Sequence, residues 1–269
     1  MDVKTKSQTN PLLQVNIQKK EFRTAKDEFR TVLKDLSFTV NQYDFISIIG
    51  PSGCGKSTLL RLIAGFDENF IGEIKIASRA SGNKGYFPIE HRLGKIGYIP
   101  QDYSLFPWLT VHENIRFGLK IKKISREDQD PVIDRLLKAV HMQHYRKYYP
   151  KEISGGMKQK IAICRALAVN PESNLILMDE PFSALDAQTR NSIQSNLLEI
   201  WQNQKLTIIF VTHNIDEALF LSTKILVMGN EPATFIHQEE INLPRERDRT
   251  SPEFNEIRRR MLYLLHVAK

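Results

Sequence analysis

The sequence predicts an α/β fold with a parallel core sheet, and three observations predict it. Short, mainly apolar runs at 45–49, 175–178 and 206–211 are strand-length, as strands buried on both faces are. Stretches of helical period separate them. A glycine-rich turn, GPSGCGKST (50–58), stands between the first run and the first such stretch. Strands that alternate with helices form parallel sheets, and the loops that bind ligands gather at the C-terminal ends of the strands.

In chain order, alternation at Leu36, Phe38 and Val40 reads as a strand, and 45–49 as a second. The glycine turn follows, then a helix that begins near Lys56, carries Leu59, Leu60, Leu62 and Ile63, and stops at Gly65. Strands are expected at 72–76 and 95–99, joined by a Gly- and Ser-rich loop at 78–94. From 99 to 174 the chain reads as mostly helical, and the pairs Thr110/Glu113 and Ser125/Asp128 have capping-box spacing. A helical subdomain is therefore expected at about 102–167. Strands at 174–178, 206–211 and 224–228 complete the core, and a C-terminal extension occupies about 231–269. The whole reads as one domain.

At 269 residues and 41% hydrophobic, the chain has enough apolar mass for a large core with a subdomain. No apolar run approaches the roughly 18 to 20 residues that cross a bilayer. The N-terminus lacks a signal-peptide core, and the two cysteines, Cys54 and Cys164, both sit inside motifs, which favours a reducing cytoplasm. The net charge of +7 is scattered, with clusters only at 120–123, 245–249 and 258–260. It reads as solvated surface or as a face toward an anionic membrane or partner, with no nucleic-acid footprint.

The chemistry-bearing residues lie in the turns. In GPSGCGKST, Gly50, Gly53 and Gly55 let successive N–H groups curl around phosphate oxygens, and the helix behind points its positive end at them. Lys56 is placed to reach β and γ phosphates and Ser57 to ligate Mg²⁺; Pro51, Ser52, Cys54 and Thr58 complete the loop. Cys54 is either a reactive thiol at a helix N-terminus or a small residue filling a tight loop. The run at 175–178 delivers Asp179, suited to an Mg²⁺ shell, and Glu180, suited to polarising an attacking water. The run at 206–211 ends at Thr212 and His213, and His213 faces the γ phosphate if its strand shares the sheet of Asp179. Gln101 follows the 95–99 strand and reaches Mg²⁺ and the water through its amide. ISGGMKQKIAICRAL (153–167) sets Ser154, Gly155 and Gly156 before an apolar helical run, a second bare helix N-terminus in a chain that already has a phosphate loop.

Together GPSGCGKST, Gln101, ISGGMKQ, LILMDEP, SALD (183–186) and His213, in this order over about residues 12–265, resemble the ATPase subunit of ATP-binding cassette (ABC) transporters. The resemblance implies a P-loop NTPase fold with a parallel core sheet, an antiparallel β subdomain and an α-helical subdomain. It implies ATP and Mg²⁺ as cofactors, with 50–58 as phosphate loop and Ser154, Gly155 and Gly156 as signature core. Ser57, Gln101 and Asp179 become metal-site residues, Glu180, Gln101 and His213 catalytic residues, and Asp186 part of an interface loop. An aromatic upstream stacks on adenine, Phe22 in KKEF being the best match and Phe29 the alternative.

Two copies, or this chain and a related ATPase, would pair head to tail, each ATP lying between Lys56 of one and 154–156 of the other. The motion would pass to a separate membrane permease at the cytoplasmic face, served by an extracytoplasmic solute-binding protein. SGGMKQ, LFPWLTVHENI (105–115) and LPRERDRTSPEF (243–254) look most like importers of the nitrate, sulfonate and taurine group, whose solutes are small anions. Phe106 and Trp108 either line the permease groove or belong to the subdomain core. The pattern departs at Ile153 where Leu is usual, Met157 where many relatives have Gln, Lys160 in place of Arg, and a longer linker at 78–94. A soluble DNA-repair cassette would carry a long coiled coil between Gln101 and Ser154, which are 53 positions apart here. A module without catalysis would lack one of Lys56, Asp179, Glu180 or His213, and all four are present.

Overall fold

A computed structural model describes residues 11–77, 86–87, 96–102, 104–121, 123–168, 174–183 and 185–267. The linker expected at 78–94 lies outside these residues except for Tyr86–Phe87, which form a strand.

The chain opens with β1 (Leu13–Arg23), β2 (Phe29–Val40), β3 (Phe45–Ile49), α1 (Lys56–Ala64), β4 (Ile71–Ala77), β5 (Tyr86–Phe87) and β6 (Gly97–Ile99). The helical part holds α2 (Val111–Ile121), α3 (Arg126–Ala139) and α4 (Gly155–Ala168). Then come β7 (Leu175–Asp179), α5 (Ala187–Gln204), β8 (Thr207–Thr212), α6 (Ile215–Leu221), β9 (Lys224–Met228), β10 (Phe235–Glu240) and α7 (Pro252–Val267).

The three apolar runs become β3, β7 and β8, with every residue buried, as their mainly apolar composition predicts. They form a six-stranded sheet in the order β10-β9-β3-β8-β7-β6, parallel from β9 to β6. β10 adds antiparallel at the edge, so the C-terminal extension expected from 231 begins on the core sheet. A second, antiparallel sheet, β2-β1-β4-β5, contributes Leu13, Val15, Ile17, Leu33 and Leu36 to a core shared with α1 and one face of the main sheet. The sheets are tied where Ala233 donates to Val32 O at 2.8 Å and accepts from Lys34 at 3.0 Å.

α2, α3 and α4 pack through Ile115, Leu119, Ile133, Leu137, Ile161 and Cys164 onto the other side of the main core. Both expected caps form. Glu113 accepts from the Thr110 N–H at 2.9 Å and hydroxyl at 2.8 Å, while Ser125 accepts from the Asp128 N–H at 3.2 Å. Asn114, fully buried, accepts from Phe106 N–H at 2.8 Å and donates to the carbonyls of Phe106, Leu109 and Thr110. That side chain fixes the loop carrying Phe106 and Trp108.

The tail is a strap of alternate arginines. Arg245 lies 4.4 Å over the Trp201 ring and donates to Leu221 O at 3.1 Å. Arg247, 8% exposed, donates to the Leu219 and Phe220 carbonyls, and burial pulls its pKa down to about 10. Arg249 covers the Phe220 ring at 4.2 Å and bonds Gln194. Arg245 and Arg247 meet the last carbonyls of α6, where helix ends carry unpaired acceptors and partial negative charge. α7 then docks through Phe254 and Met261.

Candidate active site

The sheet register builds the site. Ile49 pairs with Thr212 and Asp179 with Val211, so the ends of β3, β8 and β7 stand side by side. The residues that follow, Gly50, His213 and Glu180, emerge on one edge. This is the edge expected for ligand loops of a parallel sheet.

The loop from β3 to α1 closes as the sequence requires. Gly53 and Gly55 have φ of 81° and 105°, a left-handed region open to glycine. At Gly55 a Cβ would also lie 2.7 Å from Leu33 Cδ2, because β2 packs over the loop. Lys56 is 5% exposed, and its ammonium donates to the carbonyls of Gly50 at 3.0 Å and Pro51 at 2.7 Å, which centres the charge in the loop. Ser52 is exposed, and Thr58 lies in the first turn of α1. Cys54 is buried, and burial pushes its thiol up, which supports the loop-filling reading over the reactive one.

Ser57 donates to Asp179 Oδ1 at 2.9 Å, joining two of the three expected metal residues. Tyr98 of β6 donates to Asp179 Oδ2 at 3.3 Å from the other side. Burial pushes the Asp179 carboxyl up from its ordinary value, and the Ser57 and Tyr98 hydroxyls hold it back. Burial and the Asp179 charge raise Tyr98, which stays a protonated donor. Gln101 is exposed two residues beyond β6.

Glu180 has φ 43°, a left-handed backbone that a side-chain-bearing residue adopts at a cost of about 1–2 kcal/mol. Its N–H is held by Val211 O at 3.0 Å and its carbonyl by the Ser183 hydroxyl at 3.0 Å. The turn aims the carboxylate at His213, with 3.1 Å between Oε2 and Nδ1. A cavity of about 360 Å³ opens beside this pair, walled by Gly50, Pro51, Ser52, His213 and Ile215 and by Leu262, Leu265 and His266 of α7.

Ser154 and Gly156 are not among the residues that wall this cavity. Ser154, Gly156, Met157, Lys160, Thr189 and Ile193 line a separate hollow of about 300 Å³ between α4 and α5. The helix end is not fully bare, since Ser154 Oγ accepts the Met157 N–H at 3.3 Å. The two glycines differ: a Cβ on Gly156 would lie 2.5 Å from Thr189 Cγ2, whereas one on Gly155 would meet only Leu185 Cδ2 at 3.5 Å. Gly156 thus permits the close approach of α5 as well as any approach of a ligand. Asp186 caps α5 by accepting the Thr189 N–H at 2.9 Å, and the Thr189 bonds hold its carboxyl below its ordinary value. Ile153 is a buried anchor, as expected of an apolar replacement, and Lys160 donates to Val140 O at 3.2 Å at the end of α3.

Phe22 is 44% exposed with Lys20 Nζ 4.6 Å from its ring, and Phe29 is 71% exposed; they face neighbouring register positions across β1 and β2. Trp108 is 70% exposed, with the Phe106 ring 5.6 Å from it and 4.5 Å from Phe117, which places Trp108 on the surface and not in the subdomain core.

Sequence reasoning missed Tyr98, Arg190 and Glu217. Arg190 is four residues after Asp186 and Glu217 four after His213. A polar residue one helical turn beyond a motif residue was the signal available.

A parallel sheet with a lysine-centred phosphate loop, an acidic strand end and a histidine on the neighbouring strand defines a P-loop ATPase cassette. A family model described as ABC transporter matches residues 33–183. Relatives include an aliphatic sulfonates import ATP-binding protein of Bacillus cereus (strain ATCC 10987 / NRS 248), 47% identical over 231 residues, 86% of this chain and 87% of the relative. Another of that description, from Bacillus subtilis (strain 168), is 40% identical over 248 residues and 92% of each chain. Among solved structures, a dimeric post-hydrolysis state of the ATP-binding cassette MJ0796 bound to ADP and Pi superposes with a TM-score of 0.70 at 28% identity, covering 86% of this chain and all of the other. The chain belongs to the ABC transporter family.

Proposed function

We propose that this chain is the ATP-hydrolysing subunit of an importer for a small anionic solute, a sulfonate or a chemically similar anion. The solute class rests on relatives described as aliphatic sulfonate importers. Among the described residues no helix is long and apolar enough to cross a membrane, so the motion passes to a separate permease, and Trp108 on its exposed loop is the contact.

Two copies pair head to tail on ATP. The observation that carries this is the separation of two phosphate-binding features within one chain: the Lys56 loop with Asp179, Glu180 and His213 on one edge, and the 154–156 helix end beside its own hollow. The dimeric cassette bound to ADP and Pi supports the pairing. Lys56 binds the β and γ phosphates, and the loop N–H groups orient them. Phe22 is the adenine platform, with Phe29 the alternative. Glu180 orients water and accepts its proton, His213 holds Glu180 and the γ phosphate in place, and Gln101 completes the water's surroundings.

Mg²⁺ fits the site, because the Ser57 hydroxyl and Asp179 carboxylate, both hard oxygen donors, already converge at 2.9 Å. Ser57, Asp179 and Gln101 would hold it, and bound there it neutralises phosphate charge.

Glu180→Gln is the test. Hydrolysis by the purified chain should fall by ~10²–10⁴-fold, while ATP, unlike ADP, drives a stable dimer on gel filtration. A native rate, or a nucleotide-bound monomer, would falsify the reading.

A further inference from the structure

Arg190 joins two parts of the molecule that the site description keeps separate. It stands at the start of α5, and its Nη2 donates to Leu185 O at 2.8 Å, in the 183–186 loop. Its Nε lies 3.4 Å from Glu217 Oε1 on α6. Glu217, 4% exposed, accepts from Thr212 Oγ1 at 2.7 Å, and that oxygen accepts the Asn214 N–H at 3.0 Å. Asn214 in turn caps α6 by accepting the N–H groups of Asp216 at 2.9 Å and Glu217 at 3.3 Å. His213 sits between Thr212 and Asn214, so the turn that aims it at Glu180 is held on both sides by the Glu217 network.

These groups enclose a polar cavity of about 40 Å³ that reaches Glu180, Ser183 and His213. Among the described residues buried Arg190 Nε makes no hydrogen bond, so its link to Glu217 is an ion pair at 3.4 Å. Burial pushes the Glu217 carboxyl up, and the Thr212 hydroxyl and the Arg190 and Arg249 charges oppose this. A contact needed only to brace α5 on α6 gains nothing from an ion pair over apolar packing, because the desolvation cost offsets the attraction. The planar guanidinium does what packing does not: one rigid group spans a hydrogen bond to Leu185 O and an ion pair to Glu217.

We propose that Arg190 is a positioning residue that couples the 183–186 loop to the Glu180–His213 pair. Displacement of Leu185 O by a docking copy moves the guanidinium, and with it Glu217 and the Thr212–Asn214 turn. Hydrolysis is thereby linked to correct seating of the partner. This deepens the proposed function and rests on its assignment of Glu180 and His213.

The test compares ATP-driven dimerisation with turnover in the full-length chain. Arg190→Met is expected to lower kcat roughly 10- to 100-fold, the scale of an ångström-size misplacement, with KM for ATP changed less than about twofold. In a Glu180→Gln background, Arg190→Met should dimerise on ATP as the single variant does. Arg190→Lys, with one point charge for two partners, should recover less than half of the lost rate. Glu217→Gln, which keeps an acceptor for Thr212 and nearly the same volume, should lower kcat in the same direction with dimerisation intact, and serves if Arg190→Met folds poorly.

A kcat within about twofold of wild type in both Arg190→Met and Glu217→Gln overturns the proposal. So does loss of dimerisation together with turnover, which would make Arg190 a brace for the loop alone. Failure of Glu180→Gln itself to dimerise on ATP removes the underlying reading first, whatever the Arg190 variants do.

Discussion

Gly155 and Gly156 are adjacent, and the structure gives them different tasks. Gly156→Ala places a methyl 2.5 Å from Thr189 Cγ2 and is expected to cost ~1–3 kcal/mol of overpacking, while Gly155→Ala should stay well below that; urea unfolding of both variants decides. Asp179 predicts a pH effect. Its folded pKa is raised, so the fold favours its protonated form; that stability is fully present below 3.8 and is lost as pH rises through the folded value. Without nucleotide and Mg²⁺, Asp179→Asn should therefore melt a few degrees above wild type at neutral pH, and the gap should close as pH falls below 3.8. Equal melting curves across that range would refute this. The phosphate loop, Asp179, Glu180 and His213 were legible as residues because each follows an apolar strand. Tyr98 was not, since β6 is three residues long and its hydroxyl finds Asp179 only through strand pairing that no local pattern encodes.

At the scale of elements, legibility followed burial. β3, β7 and β8 are buried throughout and announce themselves as apolar runs. β1 alternates at Leu13, Val15 and Ile17, but a register shift against β4 between Ile17 and Lys19 breaks the period, and the next buried residue is Lys20, paired with Asp67. β10 buries no residue fully, so FIHQEE carries no apolar rhythm. The strap of Arg245, Arg247 and Arg249 read as a charge cluster in sequence, yet it is a clamp on the end of α6. Arg247→Ala deprives the Leu219 and Phe220 carbonyls of their donor and should cost ~1–3 kcal/mol. Faster amide exchange confined to α6 and the tail would locate the loss, and unchanged exchange there would count against the clamp.

For the whole molecule, the antiparallel sheet, the parallel core and the helical layer each place one part of the site. The antiparallel sheet covers the phosphate loop, the core aligns three strand ends, and the helical layer carries the 154–156 helix end away to its own hollow. That separation was only partly visible in sequence, where the two phosphate-binding patterns could be counted but not located. In the proposed head-to-tail pairing, it would make each chain half of two sites. Lys56→Ala and Gly155→Asp should each be inactive when pure. Mixed one to one, half of the dimers pair unlike chains, and each of those assembles one site from two undamaged halves, so about a quarter of wild-type phosphate release should return. Two dead proteins regaining activity on mixing would be genetic complementation in a test tube, and a mixture as silent as its components would mean that neither site fires without the other.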